Sequence, residues 1–136
     1  MGLVHAEITL KNAGDITEVR RGYIKESEIR QTTVKAMVDT GSVMLIINEA
    51  IRQQLGLVVE DTYVAELADG VTQTYGLTDS VQILWKDRKA ICQAVVIPNA
   101  NEVLLGVIPL EYMDLIINPV EQELTGAHGD KAIYRV

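Results

Sequence analysis

Asp39, Thr40, Gly41 and Ser42 follow directly on a run of apolar and β-prone residues, in the order Ala36-Met37-Val38-Asp39-Thr40-Gly41-Ser42. Burying a carboxylate at the end of an apolar strand costs several kcal/mol unless hydrogen bonds or a shared proton compensate. The neighbours here are of the kinds that compensate. Thr40 and Ser42 bring hydroxyls, and Gly41 lets the backbone turn tightly and aim its N–H at the carboxylate. A carboxylate held in this way is suited to taking or giving a proton. The tripeptide Asp-Thr-Gly also occurs as an ordinary turn, because Asp and Gly fill turns of many kinds. Its meaning therefore depends on its surroundings.

The rest of the chain offers few rivals. Ser42 and Ser80 lack a Gly-x-Ser-x-Gly setting, and neither His5 nor His128 lies in a recognisable triad pattern. The 2 histidines and 1 cysteine make no cluster of soft ligands for structural zinc, and Asp61, Asp69 and Asp79 do not follow a calcium-loop spacing. No metal or other cofactor is expected. Cys92 has no partner for an internal disulfide and reads as a small apolar residue inside a strand. His128, between Gly126 and Gly129, reads as an exposed loop residue, and Glu121-Gln122-Glu123 as a solvated face.

At 136 residues the chain has the length of one domain, against a prior of roughly 100–200 residues. Residues 1–136 are accordingly expected to form a single domain. With 48% hydrophobic and 23% charged residues, 10 Gly and only 3 Pro, it has the composition of a globular protein rather than a disordered or fibrous one. A formal net charge of −7 opposes binding to phosphate backbones, so nucleic acid is not an expected partner. No window approaches the roughly 18 apolar residues of a spanning helix, and no basic region followed by an apolar one opens the chain. Gly2 is followed by Ala6 where a myristoylation pattern needs Ser or Thr, and no Asn-x-Ser/Thr sequon occurs. These features lead us to expect a soluble protein of a reducing, cytoplasmic compartment, with no membrane partner.

The elements that would position Asp39 follow from periodicity and punctuation. Val4, Ala6, Ile8 and Leu10 alternate as a first strand, and Asn12-Ala13-Gly14-Asp15 reads as the turn of a hairpin. A second strand runs from about Ile29 to Val38 and delivers Asp39 into its turn. Asn48 suits an N-cap, Ile51 and Leu55 lie one turn apart, and Gly56 suits the far end, which predicts a helix over Glu49 to Leu55. Tyr63 to Leu67 and Val71 to Tyr75 flank Ala68-Asp69-Gly70, a hairpin signal. Val81 to Trp85 and Ala90 to Ile97 read as strands around the charged turn Lys86 to Lys89. Val103-Leu104-Leu105-Gly106 leads into a second short helix beginning near Pro109 and stopping before Asn118-Pro119. Ala132 to Val136 reads as a last strand. Two β-runs that end in glycine, at Gly41 and Gly106, each precede a short helix, as a duplicated unit would.

Taken in order, Val38-Asp39-Thr40-Gly41-Ser42 after an apolar strand, Leu55-Gly56-Leu57 closing a helix, the Asp69-Gly70 hairpin and Leu104-Leu105-Gly106 before a helix resemble the retropepsin-like aspartic proteases. The resemblance runs from roughly Glu7 to Pro119, and is greater to the small stand-alone bacterial and archaeal members than to the viral enzymes. It implies a mainly β, closed-barrel acid-protease fold with one or two short helices. It also implies a homodimer that cleaves proteins or peptides with no metal or cofactor. Asp39 would be the catalytic carboxylate, one from each subunit, the pair sharing a proton and activating a water, with an acid-leaning pH optimum. Thr40 would bond across to the partner's loop, Gly41 would shape the turn and Ser42 would support the carboxylate. Ala68, Asp69 and Gly70 would form a substrate-binding flap, with Tyr75 a candidate for the cleft or the core. Leu104, Leu105 and Gly106 would pack beneath the loop.

Only one Asp-Thr-Gly occurs in the chain, which agrees with a site completed by a second copy. The viral pattern is departed from at Val107 and Ile108, where an Arg followed by Asp or Asn would tie the dimer together. Two other readings stay open at this level. One is a non-catalytic dimerisation or peptide-binding module on the same fold. The other is a β-barrel in which Asp39 is a solvated turn residue.

Overall fold

The structure, a computed structural model, describes residues 3–136. Met1 and Gly2, which entered the reading of the chain start, lie outside the described residues. The first strand, β1 (His5–Asn12), buries Ala6, Ile8, Leu10 and Asn12 on one face, as its alternation predicts. It pairs antiparallel with β2 (Gln31–Val38), from His5 opposite Met37 to Lys11 opposite Gln31. The helix α1 (Ala13–Arg20) lies between β1 and β2, and after the Asp39 loop come β3 (Leu45–Ile47) and the helix α2 (Glu49–Leu55). β4 (Val59–Glu66) and β5 (Thr72–Trp85) make the long hairpin, followed by β6 (Arg88–Val96), β7 (Leu104–Leu105) and α3 (Val107–Tyr112).

These strands form one sheet in the order β1-β2-β7-β3-β6-β5-β4, and β1 pairs with β5 as well. The extra pairing joins the sheet to itself, so β1, β2, β7, β3, β6 and β5 make a ring and β4 projects from it along β5. The mainly β class is as expected. The ring surrounds an apolar core in which Ile8, Leu10, Leu45, Ile47, Ile83 and Leu105 are at most 1% exposed. Each such side chain is worth about 2 kcal/mol of transfer free energy.

α2 has the predicted limits. Asn48 Oδ1 accepts from the Ile51 N–H at 2.9 Å, and Gly56 closes the helix at φ 63°, in the left-handed region that favours glycine. Several expectations are corrected. The segment after Asn12 is not a hairpin turn but the helix α1 (Ala13–Arg20), which makes three α-helices rather than one or two, with a further 3-10 turn at Glu26–Glu28. Asn12 caps α1 through Oδ1, and Asp15 in its first turn receives the Arg30 guanidinium in two hydrogen bonds of 2.9 Å. The two strand fragments read at residues 71–75 and 81–85 are one strand, β5, irregular in register between Leu77 and Ser80.

The turn between β5 and β6 is only Lys86-Asp87, because Arg88 belongs to β6 and is 7% exposed. Its guanidinium donates to the carbonyls of Met113, Asp114 and Gly129. Ala132 to Val136 form no strand. The C-terminal strands are instead β8 (Leu115–Asn118) and β9 (Glu123–Gly126), a separate two-stranded sheet. The tail beyond them is pinned by the Asp114 carboxylate, which accepts from His128 Nδ1 at 2.8 Å and from the Ile133 N–H at 3.0 Å. His128 is exposed, as expected.

Candidate active site

β2 carries Asp39 at its end, where the strand turns its Ala36 and Val38 side chains into the core, at 0% and 7% exposed. The loop that follows is fixed from two sides. Along the chain, the Gly41 N–H donates to Asp39 Oδ1 at 2.9 Å, Ser42 Oγ donates to Asp39 Oδ2 at 3.0 Å, and the Ser42 N–H donates to the Asp39 carbonyl at 3.1 Å. Both carboxylate oxygens are thus engaged, which holds the side chain in one orientation. Gly41 has no left-handed φ here. Its role is close approach: a Cβ there would lie 3.1 Å from Asp39 Oδ1.

Across the fold, the Asp39 N–H donates to the Leu105 carbonyl at 3.0 Å, because β7 runs parallel to β2 with Val38 opposite Leu105. The first amides of α3 complete the grip. Val107 N–H donates to the Ser42 carbonyl and Ile108 N–H to the Val43 carbonyl, each at 2.9 Å. Just before them Gly106 passes so close to the loop that a Cβ would overlap the carbonyl oxygens of Met44 and Ser42. Leu104, Leu105 and Gly106 therefore sit beside and beneath the loop, with Leu105 fully buried.

The loop opens onto a groove of about 370 Å³ between its residues 41–44 and the β4 segment 63–67. Val43, Met44 and Ile46 line it from the loop side, Val95 and Ile97 from the β6 side, and half-buried Tyr75 from β5. It is a largely apolar trench with a polar end at Gly41 and Ser42. Ala68, Asp69 and Gly70 are the exposed tip of the β4–β5 hairpin and do not line the groove; Leu67, just before them, does. The tip turn is closed by Gly70 N–H to the Leu67 carbonyl at 2.9 Å, with Gly70 at φ 83°. The groove-lining residues of β4 were not singled out from the sequence, since which edge of the hairpin faces the loop depends on ring closure.

Thr40 does not join this set: it is exposed, and its hydroxyl has no hydrogen-bond partner among the described residues. Beside it the surface is apolar, with Val43 51% and Ile108 44% exposed. Cys92 packs against the core, and burial pushes its thiol up to about 11, away from the thiolate form. Among the described residues no group of three or more His, Cys, Asp or Glu is placed to hold a metal ion, and no helix is long and apolar enough to cross a membrane.

A model of the gag-polyprotein putative aspartyl protease family matches residues 8–112, from β1 to the end of α3. The chain belongs to this family. The matched region includes the Asp39 loop, the β4–β5 hairpin and the β7–α3 clamp, that is, the whole assembly described above. No curated protein matches the chain. The aspartyl protease family thus accounts for the elements that grip Asp39, and leaves β8, β9 and the pinned tail outside the matched region.

Proposed function

We propose that this chain is an aspartic endopeptidase whose active unit is a homodimer, with Asp39 of each subunit forming the catalytic pair. The observation that carries this reading is the doubly held Asp39 carboxylate at the mouth of an apolar groove, inside the family-matched region. A lone carboxylate supplies either a base or an acid. Peptide hydrolysis with an activated water calls for both, and two carboxylates a few ångström apart supply both because only one of them ionises readily. The ionised Asp39 takes a proton from water as the water attacks the scissile carbonyl carbon. The protonated Asp39 of the other subunit gives its proton to the carbonyl oxygen, and as the resulting diol collapses the C–N bond breaks, the first Asp39 passing its proton to the leaving amine and the second taking one back from a diol hydroxyl.

The free hydroxyl of Thr40 and the exposed Val43 and Ile108 support a second copy docking at this face. Apolar Val107 and Ile108 give such an interface a hydrophobic rather than an ion-paired edge. An extended peptide suits the trench, since β4 presents a free strand edge along it. The hairpin tip Ala68-Asp69-Gly70 then acts as the flap that closes over bound peptide. Asp39→Asn preserves size and nearly all the packing, so the expected result is an intact fold, by circular dichroism and melting, with cleavage of a diverse peptide library abolished. Retained cleavage in that variant, measured from acid to neutral pH, rules the reading out.

A further inference from the structure

We propose that Arg88 is a positioning residue for Asp39, holding the far end of the helix whose near end grips the Asp39 loop. The inference rests on the reading of Asp39 as the catalytic carboxylate. Long cationic side chains are seldom buried without partners, yet Arg88, at the start of β6, is buried. Its partners are three carbonyls: Nη1 donates to Met113 O at 3.0 Å and to Asp114 O at 2.7 Å, and Nη2 donates to Gly129 O. All three acceptors follow residue 112, where the family match ends.

Carbonyls at the C-terminal end of a helix lack partners within it, and Met113 is the residue that closes α3. The chain then turns sharply at Asp114, whose φ of 55° lies in the left-handed region that residues other than glycine seldom adopt. That turn is tied from several sides. The Asp114 N–H donates to the Glu111 carbonyl at 3.0 Å, and the Asp114 carbonyl accepts from the Ala127 N–H at 2.8 Å as well as from Arg88. Gly126 packs so tightly on the guanidinium that a Cβ there would overlap it. At the other end of α3, the Val107 and Ile108 N–H groups donate to the Ser42 and Val43 carbonyls. A helix of this length spans only about 9 Å, and Pro109 and Leu110 bury it against the core. It therefore moves as a rod, and a displacement where Arg88 holds it is passed to the carbonyls that carry the Asp39 loop.

The test is amide hydrogen exchange followed by NMR, with peptide-cleavage kinetics on the same preparations. Arg88→Lys keeps the charge but gives up the planar fork that reaches three carbonyls. Asp15→Asn is the control, since it loosens the Arg30 contact on α1, at the opposite end of β1 from the loop. In Arg88→Lys the amides of Val107 and Ile108 are expected to exchange about tenfold faster and kcat to fall about tenfold, as for the loss of one hydrogen bond to a charged group. In Asp15→Asn the melting temperature is expected to fall while both readouts keep their parental values. Unchanged exchange at Val107 and Ile108 in Arg88→Lys, or equal acceleration in both variants, overturns the proposal. If Arg88→Lys does not fold, the wild-type chain decides. In urea below the unfolding transition its Ile108 and Ala127 amides are expected to exchange through one shared opening with equal urea dependence, and separate openings overturn the proposal. The protease reading fails by a different result. A wild-type chain that leaves peptides whole, while Arg88→Lys still frees those amides, upholds the hold of Arg88 on the loop and removes only the catalysis.

Discussion

Ser42 and Asp39 are joined by a hydrogen bond that involves no other part of the molecule, from Ser42 Oγ to Asp39 Oδ2 at 3.0 Å. Removing it leaves the Gly41 N–H on the opposite oxygen and the backbone grip of the loop untouched. Ser42→Ala is therefore expected to melt within a few degrees of the parent while kcat/KM for peptide cleavage falls about tenfold, the equivalent of one hydrogen bond to a charged group at ~1.5 kcal/mol. Ser42→Thr, which keeps the hydroxyl, is expected to recover most of the loss. Unchanged kinetics in Ser42→Ala would mean that the hydroxyl does not position the carboxylate. At this scale the sequence was informative, because the partners of Asp39 within the loop lie two and three residues along the chain. The groove-lining part of β4 was not legible in the same way, since nothing in Tyr63 to Leu67 says that this segment faces the loop.

The β7–α3 turn is the element on which the loop depends most. At Gly106 an added methyl group would meet two backbone carbonyls, and backbone cannot swing aside as a flexible side chain can. Gly106→Ala is expected to cost about 3 kcal/mol and to lower the melting temperature by about 10 °C. Cleavage is expected to be lost even where the variant remains folded, because the loop must shift to make room. Melting and activity recorded on the same preparation decide this, and a fully active variant melting with the parent would contradict the packing. Elements that announce themselves locally were read correctly: α2 has its Asn48 cap and its Gly56 terminus, and the hairpin has Asp69-Gly70. α1 was hidden because Ala-Gly-Asp-Ile-Thr-Glu-Val-Arg shows little apolar periodicity. It is held by its own cap, Asn12, and by the distant Arg30 on Asp15. The β-branched look of Ala132 to Val136 misled for a related reason. Its Ile133 N–H is taken by a carboxylate, where a strand would have paired it with a backbone carbonyl.

For the whole molecule the decisive question is whether two copies share one centre. If both Asp39 carboxylates are needed, mixing wild-type and Asp39→Asn chains in equal amounts and allowing exchange leaves only about a quarter of the dimers fully competent. Activity is then expected at about a quarter of that of wild-type chain at the same total concentration. Activity at about half would show that each chain works alone and would remove the dimer from the proposal. The ring closed by β1 and β5 was implied by family resemblance, not by any pattern within the strands, since sheet neighbours such as β2 and β7 are distant along the chain. That distance has a bearing on synthesis. Asp39 leaves the ribosome well before Leu105, Val107 and Ile108, whose backbone groups hold its loop in place. The clasp on the carboxylate itself comes from Gly41 and Ser42 next door, whereas the backbone brace of the loop exists only once a stretch of chain more than sixty residues further on has been made.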